Sequence, residues 1–250
     1  MKLLQIALFA SLAAFTPSFS NASQELITNG DFETGDFTGW SISDQGLDGT
    51  GSFAIEAPGS NSTVPGQYPT PSNDPAGESF YAVSDGNQGA PAVHVMLQNF
   101  TVSDPNLSVL LSFQMFVNGW IWSSGSRADS ATSNLFARVD ILSADAATAD
   151  PFSLSTGVLL NLYNGIDPAS SNGYQAYSQD ISSVVAASGT YTLRFLVSDN
   201  ISDAGTGTIN QGVDNVHITV APVPEPTTVG FLGLGLAGLV WKGRKRLLGK

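Results

Sequence analysis

Three kinds of side chain in this 250-residue chain have the chemistry to hold a ligand: carboxylates, paired tryptophans and two histidines. Asp214 shares the alternating parity of Val216, Ile218 and Val220, which predicts a carboxylate pointing inward at the start of an apolar strand. An unpartnered carboxylate there would cost several kcal/mol, roughly, and a hard cation or backbone N–H groups would relieve it. Trp120 and Trp122 flank Ile121 in a Gly/Ser-rich stretch. Aromatic faces stack on sugar rings, so these two are the candidates for glycan contact; the alternative is that they cover the end of a β-sandwich. His94 and His217 fall on the parity opposite to their apolar neighbours, and neither has a second His or Cys at metal-ligand spacing. No HExxH and no nucleophile elbow occurs, and the domain's Glu residues, Glu25, Glu33, Glu56 and Glu78, suggest no paired-carboxylate glycosidase. The chain is therefore expected not to be an enzyme, a secreted hydrolase being the residual reading.

The chain that must position these groups lies between two hydrophobic ends. Lys2, an apolar run from Leu3 to Phe15, then Ser20-Asn21-Ala22 read as a secretory signal peptide over 1–22, with Ser23 the new N-terminus. At the other end Pro224-Glu225-Pro226 precedes an uncharged apolar run, Thr227 to Trp241, and then Lys242, Arg244, Lys245 and Arg246. The prolines keep the triplet extended. The basic tail, 242–250, is predicted to stay cytoplasmic, and Trp241 to anchor at the interface. A 15-residue helix over 227–241 would span about 22 Å, short of the roughly 30 Å hydrocarbon core, and four glycines weaken it further. It suits a temporary anchor.

Between the ends, 23–221 carries three arginines, Arg127, Arg138 and Arg194, against 20 of the 21 acidic residues, a net charge of −17. Such a surface repels nucleic acid and excludes it as a partner. With no Cys there is neither a disulfide framework nor thiol chemistry. Gly, Ser, Asn and Thr are abundant, and period-two apolar runs dominate: Val109 to Val117, Leu135 to Ile141, Tyr191 to Val197 and Val216 to Val220. Further strands are predicted at 25–27, 40–43, 79–84, 92–101, 158–162 and 174–181, and a short helix at 181–187. The stretches 57–77, 120–133 and 200–211 read as long loops, and 144–149 as no more than a loop. About ten short strands in roughly 200 residues predict an all-β, antiparallel β-sandwich of the jelly-roll kind.

The C-terminal order of Pro-Glu-Pro, apolar run and basic tail over 222–250 resembles the PEP-CTERM sorting signal of exopolysaccharide-producing Gram-negative bacteria. That resemblance implies recognition of Pro224, Glu225 and Pro226 by an exosortase, a membrane-embedded cysteine protease-transpeptidase. It further implies transient anchoring in the inner membrane, then release to the cell surface or outside. The segments LITNGDFETGDFTGW, HVMLQNFTV, YTLRFLV and VDNVHITV, in that order, resemble the jelly-roll modules of the galactose-binding-like and carbohydrate-binding type. Those relatives bring the first turn and the last strand together around a structural Ca²⁺, which implies Asp31 and Glu33 as co-ligands of Asp214. In them Trp40 is a core residue. Two functions stay open on this reading: a non-catalytic structural or adhesive component associated with extracellular polysaccharide, or a carbohydrate-binding module for a specific glycan.

Overall fold

A computed structural model describes residues 23–46, 51–57, 79–84, 92–104, 106–121, 126–127, 135–165, 173–199 and 208–222. The expected signal peptide, anchor helix and basic tail lie outside these residues, as do Trp122 and most of 57–77. The strands are β1 (Gln24–Glu25), β2 (Ser41–Gly46), β3 (Phe53–Glu56), β4 (Tyr81–Ser84), β5 (Ala92–Val102), β6 (Leu107–Ile121), β7 (Ser126–Arg127) and β8 (Leu135–Ser143). After helix α1 (Ala144–Ala149) come β9 (Val158–Gly165), β10 (Gln175–Asp180), β11 (Gly189–Asp199) and β12 (Thr208–Pro222). No helix among the described residues is long and apolar enough to cross a membrane.

The strands form two antiparallel sheets packed as a sandwich. One runs β10-β6-β12-β4-β3, with β1 added to β12 and β7 to β6; the other runs β2-β5-β11-β8-β9. The alternation in β6, β8 and β11 explains the pairing. Leu111, Phe113 and Met115 from one sheet meet Val139, Ile141, Leu193 and Phe195 from the other, all essentially inaccessible to solvent. Trp40 joins this core, with its ring centroid 5.5 Å from that of Phe32 and 6.1 Å from that of Phe195.

Several elements differ from expectation for local reasons. Trp120 is not in a loop: β6 continues through it, and its backbone pairs with Thr208 and Arg127. β12 accordingly starts at Thr208, inside the stretch expected to be a loop. Residues 144–149 form α1, closed by the Asp150 N–H donating to the Ala146 carbonyl. The expected helix at 181–187 is a single turn, in which the amides of Val184 and Val185 donate to the Ile181 carbonyl. Among the described residues β9 is an edge strand, it carries no charge, and two register shifts interrupt its pairing with β8. Bulges of this kind spoil the flat template that an edge would otherwise offer to another chain.

Candidate functional site

The two most motif-like segments, 26–40 and 213–220, do meet, but they build a joint in the fold. A β-bulge lies between Asp214 and His217 of β12, and the 28–40 loop seats on it. Val216 N–H donates to the Gly30 carbonyl at 2.9 Å, and Leu26 N–H to the Ile218 carbonyl at 2.9 Å. The Trp40 indole N–H donates to the Asn29 carbonyl at 3.0 Å. Asn29 and Asn215 both take φ of 51°, which asparagine tolerates, and buried Phe32 takes 54°. A bulky residue at positive φ is held there by its packing.

The bulge also reverses Asp214. Val213 pairs with core Met115, whereas Asp214 pairs with Gln114 and Gly212 with Phe116, on the outer face of the seven-stranded sheet. The expected inward carboxylate therefore faces the other way, although it is fully buried. Its parity with Val216 fails because the bulge inserts one extra residue. Asp214 Oδ1 accepts the Asn215 N–H at 2.7 Å.

The other two carboxylates of the expected cation set have local partners. Glu33 Oε1 accepts the amides of Ser79 (2.6 Å) and Phe80 (3.0 Å), tying the first loop to the start of β4. Asp31 Oδ1 accepts the Glu33 N–H at 3.3 Å. Among the described residues no group of three or more His, Cys, Asp or Glu side chains lies close enough to hold a metal ion. Asp31, Glu33 and Asp214, the Ca²⁺ ligands that the resemblance implied, are thus not gathered into one cluster of carboxylates.

The Ser79 amide, then the Phe80 amide, hold the Glu33 carboxyl below its ordinary pKa, and the Ser182 hydroxyl and amide do the same for Asp180. Each carboxylate then contributes stability that is complete above its unfolded pKa, about 4, and is lost as pH falls through its lower folded value. We expect the melting temperature to be level from neutrality to about pH 5 and to decline below about pH 4. In Glu33→Gln the neutral-pH value should be lower and the gap to the parent should close in acid. A gap that stays constant down to pH 3 would refute the role of the Glu33 charge.

The histidines separate. His94 pairs with core Val197 across the sheet and is fully buried between the sheets, not on the opposite parity as expected. Its neighbours in β5 are apolar on both faces, so parity carried no information there. His94 Nδ1 lies 2.7 Å from Asp44 Oδ1, and Asp44 Oδ2 accepts the Ser52 hydroxyl at 2.9 Å. The carboxylate sits between the other two groups. A nucleophilic triad instead requires the imidazole in the middle. His217 lies on the outer face, 3.0 Å from Glu25 Oε2.

Sequence reasoning missed a buried charge network. Asp140 receives Arg138 at 2.7 and 3.2 Å and Arg194 at 2.6 and 3.2 Å, together with Asn161 Nδ2 at 2.8 Å. The arginines also donate to the carbonyls of Pro151, Ser153 and Leu154. They thereby strap the turn after α1 over the outer face of the five-stranded sheet, where Val95, Leu97, Leu142 and Leu196 form a second small core. Burial lowers the Arg194 pKa, and Asp140 opposes the shift. The available signal was Arg138 and Asp140 two apart in a strand, in a domain with only three basic residues.

Residues 222–245 match a family profile described as a PEP-CTERM protein-sorting motif. No curated protein sequence matches the chain. Among solved structures, the chain is similar to the enzymatically active domain of tailspike protein 4 of bacteriophage CBA120 (14% identity, TM-score 0.41). That match covers 78% of this chain and 21% of the tailspike, so the chain spans about a fifth of its length. It is also similar to the carbohydrate-binding module TmCBM61 in complex with β-1,4-galactotriose (12% identity, TM-score 0.42, covering 78% and 97%). A third is the K1 cleaved adhesin domain of Lys-gingipain from Porphyromonas gingivalis W83 (14% identity, TM-score 0.39, covering 82% and 99%).

Proposed function

We propose that this is an exported protein sorted through its C-terminal PEP-CTERM motif by an exosortase, whose sandwich is a non-catalytic structural or adhesive component associated with extracellular polysaccharide. One observation carries the reading: the matched motif, 222–245, begins on the last residue of β12, so the folded domain leads straight into the sorting signal. The domain's strong negative charge suits a hydrated extracellular setting.

The second reading is a carbohydrate-binding module for a specific glycan, with Trp120 and Trp122 as the candidate contacts.

The test is mass spectrometry of the protein from cells that express an exosortase. We expect a mature species beginning near Ser23 and lacking Lys242 to Lys250. Pro224→Ala with Pro226→Ala should leave most of the protein full-length at its C-terminus and in the inner-membrane fraction. A secreted mature species that retains Lys242 to Lys250 would overturn the sorting reading.

A further inference from the structure

Both ends of the domain leave from one pole of the sandwich. Pro222 pairs with Leu107 at the start of β6, and Gln24 pairs with Val220, so Ser23 and Pro222 emerge side by side. Val102 pairs with Gly189, which brings Ser103, Asp104 and the 181–189 segment to the same pole. The Ile181 amide donates to the Val109 carbonyl at 2.9 Å, and the Ser182 hydroxyl accepts the Val109 amide at 2.8 Å, fixing that segment there. Glu25 completes the joint. Its Oε1 accepts the amides of Leu26, Ile27 and Ile218 at 2.9 to 3.0 Å, so β1 covers the side of β12 opposite β6 just before the chain exits.

β12 is thus held on both sides to within two residues of Pro222. Only four residues, 223–226, separate it from the apolar run at Thr227. Fully extended they reach about 14 Å. The opposite pole, where β6 ends at Ile121 beside Trp120, lies roughly 45 Å away along the strand.

Resting on the sorting reading above, we infer that the anchored precursor is held folded with this pole against the bilayer, so that the pole bearing Trp120 faces away and is the surface open to extracellular partners. The membrane-side pole carries Asp104 and Asp180, and no basic residue occurs in 103–107 or 180–189. Carboxylates are repelled by anionic headgroups. The pole is therefore kept at the surface by its tether alone and departs when the tether is cut.

The chain has no cysteine, so single cysteines make clean probes. Ser188 is exposed at the membrane-side pole and Gln45 is exposed at the other. Full-length chain bearing Pro224→Ala and Pro226→Ala, purified from cell membranes, would carry Ser188→Cys or Gln45→Cys with a fluorophore. It would be reconstituted in phosphatidylethanolamine and phosphatidylglycerol vesicles containing a nitroxide-labelled lipid. We expect quenching severalfold stronger at position 188 than at 45. A long Gly-Ser insertion after Pro222 should shrink that contrast. Equal quenching at both positions in vesicle-bound protein would overturn the orientation while leaving sorting intact. Failure to associate with vesicles would overturn the anchor, and the orientation with it.

Discussion

Replacing Asp140 by Ala should destabilise the domain by about 3–5 kcal/mol. Asp140 and Arg194 are both fully buried and Arg138 nearly so. Removing the shared carboxylate leaves two guanidiniums, charged at neutral pH, side by side without their counter-ion. The loss extends beyond the ion pairs. The same guanidiniums bind the carbonyls of Pro151, Ser153 and Leu154, so their displacement frees the turn that covers Val95, Leu97, Leu142 and Leu196. For a domain of about 200 residues this corresponds to a fall in melting temperature of roughly 10 °C. Urea unfolding is the direct measurement. Asp140→Asn, which keeps acceptor capacity without charge, should lie between the parent and Ala. A loss under 1 kcal/mol for Asp140→Ala would show that the network is not what holds this cap.

Gly30→Ala should be of comparable severity for a different reason. A Cβ at Gly30 would lie 1.9 Å from the Val216 carbonyl oxygen and 3.1 Å from Ile27 Cγ2. The obstacle is backbone, so no rotamer change relieves it. Either the first loop lifts from the bulge or the β12 backbone moves, and both break the Val216 to Gly30 hydrogen bond. Overpacking of this kind costs about 3 kcal/mol. Gly173→Ala is the matched control, since no described residue lies within 4 Å of its Cβ position, and should change stability by less than about 0.5 kcal/mol. If Gly30→Ala and Gly173→Ala melt together, the junction of the first loop with β12 has been misread.

Sequence alone determined the parts governed by local chemistry. The alternation in 109–117, 135–141 and 191–197 decided which residues face the core, because strands that bury one face must repeat every second residue. Trp40 was readable as core through the resemblance of the LITNGDFETGDFTGW segment to jelly-roll modules, and the sorting motif because its three blocks act in linear order. Tertiary structure alone decided whatever depended on strand register or on partners distant in sequence. One inserted residue after Asp214 turned its carboxylate to the outer face. His94, flanked by apolar residues on both sides, gave parity nothing to distinguish. Glu33 binds the amides of Ser79 and Phe80, and Asp140 binds Arg194, across 46 and 54 residues. Pairing energies of that kind arise only once the sheets are assembled. The shared pole of Ser23 and Pro222 is likewise a product of register: period-two patterning fixes faces, but only the pairing of β1 and β6 with β12 fixes ends.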